Sequence, residues 1–331
     1  MAGEKVRLAS VGLGWWSNIL ADAVGRSGAG EIVRGFARSE DARKAFAEKH
    51  GCRPAASLDE ILKDPEVDGI LVATPHSTHP DIICEAASAG KHIFVEKPLT
   101  LTVAEAKRAV KAAANADVTL LVGHNRRRQG ANRRIREMID KGELGVVHQL
   151  ESNLSLAMGL NPRQGWRNDA DECPVGAMTG LGVHMVDNLH YLAGPVKRLS
   201  ALSKKIAAKG NLDDVTAIVL EFESGPLGYI GTTYVISKIC VTSVYGTEAS
   251  AWAEEEATRL FVQKPDAEAR SEVPCETVDH LAEQMTEFAG CIRGTATPET
   301  GGPEATEVVA VLEAVIESVK SGEVVEVSQF R

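Results

Sequence analysis

Hydrophobic and polar positions follow two different rhythms along this chain, and the change falls near Gly123. Before it, short apolar runs at Val6–Val11 and at residues 32–37, 69–73, 93–95 and 118–122 read as strands, and residues 69–73 are apolar throughout, as in a strand buried on both faces. Between them, residues 19–24, 41–50, 58–62, 81–89 and 103–114 carry helical patterns, with Gly90 placed to cap the fourth. Alternating strand and helix signals predict a doubly wound parallel sheet of Rossmann type over residues 1–123, an α/β fold.

Beyond Gly123 the period shortens. Residues 146–156, 196–206, Val215–Phe222, 228–236 and 239–245 read as strands, and the turn Glu223-Ser224-Gly225-Pro226 is the clearest of those joining them. Helices are expected at 131–141, 184–192, His280–Ile292 and 303–319. The second domain, residues 124–331, is therefore expected to be α+β, built on a large, mostly antiparallel, open-faced sheet that binds substrate, with the last helix a candidate to pack back on the first domain. An uncovered sheet face invites a second copy of the chain, so a homo-oligomer, dimer or tetramer, is expected through it.

Composition narrows the partners. With 331 residues, 44% hydrophobic and 25% charged, the chain can bury two ordinary cores. A net charge of −10 argues against nucleic acid and anionic membranes. The basic run Arg126-Arg127-Arg128 with Arg133, Arg134 and Arg136 reads instead as a solvated helix face paired with acids such as Glu137. Without a long apolar stretch or a signal-like N-terminus, a soluble cytoplasmic protein is expected. The 6 cysteines stand singly, which indicates neither a zinc site nor a disulfide framework.

Two short segments bring in chemistry. The turn Gly12-Leu13-Gly14 joins the first strand to the first helix. Its first glycine permits the turn, and its second lets backbone approach a pyrophosphate held by the helix N-terminus. Ser17 stands where a third glycine is usual; it is small enough for close packing and can hydrogen-bond a phosphate. Trp15 and Trp16 either pack in the core or flank the cofactor and substrate. Glu96-Lys97-Pro98 follows the strand at 93–95 and places an ammonium at the carboxyl end of the sheet, where doubly wound folds bind ligands; proline forces an extended or cis-type turn. At the end of the second strand, where NAD sites usually carry an acid, the chain has Ala37-Arg38-Ser39. That favours NADP, with Arg38 and Ser39 on the 2′-phosphate, and leaves NAD as the other choice.

The glycine turn, the Thr74-Pro75 strand end, Glu96-Lys97-Pro98 and Gly182-Val183-His184-Met185-Val186-Asp187, in this order across nearly the whole chain, resemble the Gfo/Idh/MocA family of nicotinamide oxidoreductases. The resemblance implies hydride transfer between NADP or NAD and a hydroxyl or carbonyl carbon of a sugar, cyclic polyol or diol, with Lys97 touching both cofactor and reacting oxygen and His184 as proton relay. Glu96, His76 (where the family has asparagine) and His79 would border the cofactor, unless the two histidines are surface turn residues. The stretch Asn161-Pro162-Arg163-Gln164-Gly165-Trp166-Arg167 resembles the family's pocket loop, so Trp166, Arg167, Arg127 and Asp187 are expected near substrate. Gly180 departs from the pattern: the family often has aspartate there. A zinc site on His184, Asp187 and His190 fits the spacing but lacks a supporting constellation, so no metal is expected. A non-catalytic dinucleotide sensor and a redox-cycling glycoside hydrolase are the alternative functions on this scaffold.

Overall fold

Why the first half becomes a sheet buried on both faces is seen in its strands, where Ile70, Leu71, Val72, Ile93, Phe94 and Val95 are all fully enclosed. The structure, a computed structural model, describes residues 4–161 and 165–331. In chain order the first elements are β1 (Val6–Val11), α1 (Trp15–Ser27), β2 (Gly30–Phe36), α2 (Glu40–His50), β3 (Arg53–Pro54), α3 (Leu58–Lys63), β4 (Gly69–Val72), α4 (His79–Ser88), β5 (His92–Val95), α5 (Val103–Asn115) and β6 (Leu120–Val122). The strands form a parallel sheet of order β3-β2-β1-β4-β5-β6. Strand order reverses between β1 and β4, which opens a crevice beyond their carboxyl ends. Side-chain oxygens start the helices: Ser39, Ser57 and Thr102 accept from the amides of Ala42, Glu60 and Glu105.

The second half follows period two. After α6 (Gly130–Asp140) come β7 (Val147–Ser155), α7 (Val183–Ala193), β8 (Val196–Lys204), β9 (Val215–Phe222), β10 (Leu227–Thr233), β11 (Ile239–Gly246), β12 (Ser250–Glu254), β13 (Arg259–Gln263) and β14 (Ser271–Val273); α8 (His280–Ile292), α9 (Gly302–Ser321) and β15 (Val325–Glu326) complete the chain. The sheet runs β14-β13-β12-β11-β7-β10-β9-β8-β15, antiparallel except for the parallel pair β7–β10. Along β9, Ile218, Leu220 and Phe222 point inward while Val219 is exposed directly opposite Tyr229 of β10. Leu202 on β8 is exposed on the same sheet.

Two compact units result, Met1–His124 with Asp279–Thr306, and Asn125–Val278 with Glu307–Arg331. Helix α8 completes the core of the first: Met285, Phe288 and Ala289 join Leu8, Leu20, Val24, Leu71 and Leu121, and the Phe94 and Phe288 rings meet edge to face at 6.0 Å. In the second, Ser318 of α9 accepts from the Ala201 amide of β8 at 3.0 Å.

Candidate active site

The glycine turn sits at the sheet's switch point. Gly12 has φ +88°, and a Cβ there would fall 2.6 Å from the Ala73 carbonyl oxygen, so only glycine fits. Its amide donates to Phe36 O at 2.9 Å, and Ala73 N donates to Val11 O at 2.9 Å, which pins the turn to both neighbouring strands. Gly14 is different: nothing lies within 4 Å of where its Cβ would be. Helix α1 starts there with no side-chain cap and no acid in its first turn. Open space over an uncapped helix start suits a pyrophosphate, so these residues fit a dinucleotide.

The residues around the turn divide. Ser17 is fully buried, and its hydroxyl lies 2.6 Å from that of Ser10 in β1. It thus serves close packing, with its hydroxyl turned toward β1. Trp16 packs against the first unit's core, whereas Trp15 is 63% exposed. At the end of β2, Ser39 caps α2 through its hydroxyl, and Arg38 is exposed. Arg43, not singled out in the sequence, donates from Nη1 to Ala37 O at 2.8 Å and Arg38 O at 3.1 Å, which brings a second guanidinium to this strand end. Glu40, the nearest acid, pairs with Lys44 along the helix.

Around Lys97 the expected turn histidines are interior residues. His76 and His79 are both buried, which corrects a surface placement, and their rings meet edge to face at 5.7 Å. His79 Nδ1 lies 3.1 Å from Pro98 O and 3.3 Å from Leu99 O, and Nε2 lies 3.2 Å from Thr74 O. One ring therefore ties the Thr74-Pro75 strand end to the turn that carries Lys97. Thr74 Oγ1 and Thr78 Oγ1 are 2.7 Å apart, and Thr78 also donates to Pro75 O. Glu96 is buried against Gly123, where a Cβ would come within 2.8 Å of its carboxylate. Lys97 is partly exposed, and its bond to Pro98 is cis.

In the second unit a wide π-type turn, Met178–Gly182, runs into α7. His184 stands in the first turn of α7 and is buried. Asp187, one helical turn on, is only 1% exposed, and Arg127 binds both of its oxygens: Nε–Oδ2 is 3.0 Å and Nη2–Oδ1 is 2.5 Å. The Arg127 guanidinium also lies 5.3 Å from the Tyr191 ring centre. Arg127 and Asp187, expected near substrate, are bonded to each other, which fixes α7. Asn188 adds a second tether, donating to Thr242 Oγ1 of β11 at 2.9 Å. The spacing that suggested a metal has other uses, since Asp187 is held by Arg127 and His190 Nε2 accepts from Val196 N at 3.3 Å.

The basic run is likewise corrected in part. Arg127 and Arg128 are buried in a short 3₁₀ turn, Arg126–Arg128, and do not lie on a solvated face. Arg126 donates to Glu256 at 2.9 Å and to Cys240 Sγ at 3.0 Å. Burial acts to raise the Glu256 carboxyl, but Arg126 and Lys238 outweigh it and hold the group below the ordinary carboxylate range. Burial also pushes the Cys240 thiol up. Arg134 and Arg136 do pair along α6, with Glu137 and Asp140. Of the expected pocket loop, residues 162–164 lie outside the described residues; Arg167 stacks on Trp166 at 4.1 Å. Among the described residues no helix is long and apolar enough to cross a membrane.

A parallel sheet with a glycine turn at its switch point, together with a large open-faced antiparallel sheet, defines a two-part dinucleotide-dependent oxidoreductase. Residues 6–124 match the model of the oxidoreductase family with an NAD-binding Rossmann fold, residues 132–252 match the GFO/IDH/MocA C-terminal domain, and the chain belongs to the Gfo/Idh/MocA family. A Desulfitobacterium hafniense protein assigned as an NADPH-dependent oxidoreductase is 31% identical, with 99% of each chain covered and a TM-score of 0.94. The 1,5-anhydro-D-fructose reductase of Ensifer adhaerens is 27% identical over 91% of this chain and 92% of its own. The scyllo-inositol 2-dehydrogenase (NAD(+)) of Bacillus subtilis is 28% identical over 80% of this chain and 78% of its own.

Proposed function

We propose that this protein is an NADP(H)-dependent oxidoreductase acting on a hydroxyl or carbonyl carbon of a sugar, cyclic polyol or diol. The reaction class is supported by the reductase and inositol dehydrogenase among its relatives. The observation that carries the cofactor choice is the end of β2, with Arg38 and Arg43 and no carboxylate before Glu40. A 2′-phosphate there meets guanidinium groups, whereas the ribose diol of NAD lacks the acid that usually binds it. Gly12, Gly14 and the amides that open α1 would hold the pyrophosphate, with Trp15 beside them, and Thr74, Pro75, His76 and Glu96 would border the nicotinamide.

A bound nicotinamide supplies the acceptor or donor of hydride. The remaining work falls to this chain. The Lys97 ammonium hydrogen-bonds the reacting oxygen and stabilises the charge that builds on it. His184 takes the hydroxyl proton during oxidation and returns it during reduction. Trp166 and Arg167 contribute to substrate contact, while Arg127, Asp187 and His79 hold the reacting groups in place. The open sheet face bearing Leu202, Val219 and Tyr229 is proposed to be covered by a second copy of the chain.

A panel of aldoses, cyclic polyols and diols, assayed with each nicotinamide in both directions, tests this reading. Turnover of a polyhydroxy substrate with preference for NADP(H) is expected. Tight NADPH binding without turnover of any of them would move the protein to the sensor class.

A further inference from the structure

Gly180 stands where family members often carry aspartate, four residues before His184, and what fills that space is a phenol from another element. A Cβ placed on Gly180 would fall 1.8 Å from the Tyr234 hydroxyl oxygen and 3.0 Å from its ring carbon Cζ. A side chain there would force Tyr234 to move. The tyrosine follows directly on β10, and its backbone is fixed on both sides: its amide donates to Asp214 O at 2.9 Å, and its carbonyl accepts from Gly159 N at 2.7 Å. The hydroxyl itself donates to Gly176 O at 3.2 Å. That bond is long for an O–H donor. Tyr234 is only partly buried, which leaves it within reach of a small molecule.

Gly180 lies in the wide π-type turn that runs into α7, one turn ahead of His184. A group that takes the Cβ position of residue 180 is therefore a neighbour of the His184 side chain. Building on the oxidoreductase reading above, we propose that the Tyr234 hydroxyl binds a substrate hydroxyl beside His184, in the place that a side chain at 180 would occupy. Gly180 and Tyr234 then form one unit: glycine is required because the phenol is present, and the phenol supplies the polar contact that glycine lacks. The exchange alters the chemistry as well as the shape. A carboxylate accepts hydrogen bonds only and brings a negative charge, whereas a phenol is neutral and both donates and accepts.

The test uses the full chain with NADPH or NADP⁺, and myo-inositol and D-glucose as probes. Tyr234→Phe, which keeps the ring, is expected to lower kcat/KM by about tenfold or more, the loss of one hydrogen bond to substrate, with the Kd for NADPH and the melting temperature unchanged. Unchanged kcat/KM in that variant overturns the proposal. Gly180→Ala is expected to destabilise the wild-type protein and to be tolerated in a Tyr234→Ala background; equal losses in both backgrounds also overturn it. If the wild type turns over neither probe, the substrate reading is decided separately by the full panel of aldoses, cyclic polyols and diols. The proposal is then decided in the free protein by the imidazole carbon-bound proton resonances of His184, which are expected to move in Tyr234→Phe and whose constancy overturns it.

Discussion

Arg127 grips both carboxylate oxygens of Asp187 inside the second unit, one helical turn beyond His184. Such a pair is costly to bury and far costlier to break, because removing either partner strands a charge away from water. Arg127→Ala and Asp187→Ala should each lower unfolding stability by about 3–5 kcal/mol, and the double substitution should cost less than the two single losses added together. Denaturant unfolding of the three variants measures this.

Cofactor preference should follow the end of β2. NADPH is expected to bind about tenfold or more tightly than NADH, since charge-assisted contacts with the 2′-phosphate contribute about 1.5–3 kcal/mol. Arg38→Ala and Arg43→Ala should each narrow that ratio, and Ala37→Asp combined with Arg38→Ala should invert it. Titration calorimetry with both cofactors decides; equal dissociation constants in the wild type would contradict the assignment.

Lys97→Ala and His184→Ala should each lower turnover by about 100-fold or more while NADPH affinity changes little. His184→Ala should in addition remove a limb near neutral pH from the rate profile. Near-native turnover in both variants would refute the acid/base assignment.

Acid stability should depend on Asp64. Its carboxylate accepts from the Glu66 amide at 2.8 Å and from Arg34 Nε at 2.6 Å, and these bonds, the backbone one foremost, hold it below the ordinary carboxylate range. A carboxyl whose pKa is lower folded than unfolded stabilises fully above the unfolded value, and that contribution is lost as pH falls toward the folded one. Asp64→Asn is therefore expected to be less stable than the wild type at pH 7, and the difference should shrink under acid. Urea midpoints across pH record it.

How much of this was legible in the sequence depends on how locally each feature is determined. The parallel sheet was readable because continuous apolar runs such as residues 69–73 have few other uses, and β9 was placed to the residue because its β-branched and apolar run ends at the Glu223-Ser224-Gly225-Pro226 turn. β12, β13 and β14 were missed: Ser250–Glu254 has small residues around one tryptophan, Arg259–Gln263 has only three apolar residues in a row, and Ser271–Val273 is three residues long. β3, two residues ending in proline, carries no pattern at all. At the site, the glycine turn and Lys97 announce themselves by local chemistry. The burial of His79 and the locking of Arg127 onto Asp187 depend on residues 19 to 60 positions away, and periodicity does not report on such partners. Arg43 could have been found, since it lies on the first turns of the helix that starts at the end of β2.

The contact between Phe94 and Phe288 sets the order of events during synthesis. A ribosome releases every strand of the parallel sheet well before α8 emerges, yet Met285, Phe288 and Ala289 belong to the core that those strands enclose. At about 5–20 residues per second, the nascent first unit waits many seconds with that part of its apolar surface open. For that interval the apolar faces that Met285, Phe288 and Ala289 later cover are without that cover, so the first unit's core is completed only late in synthesis.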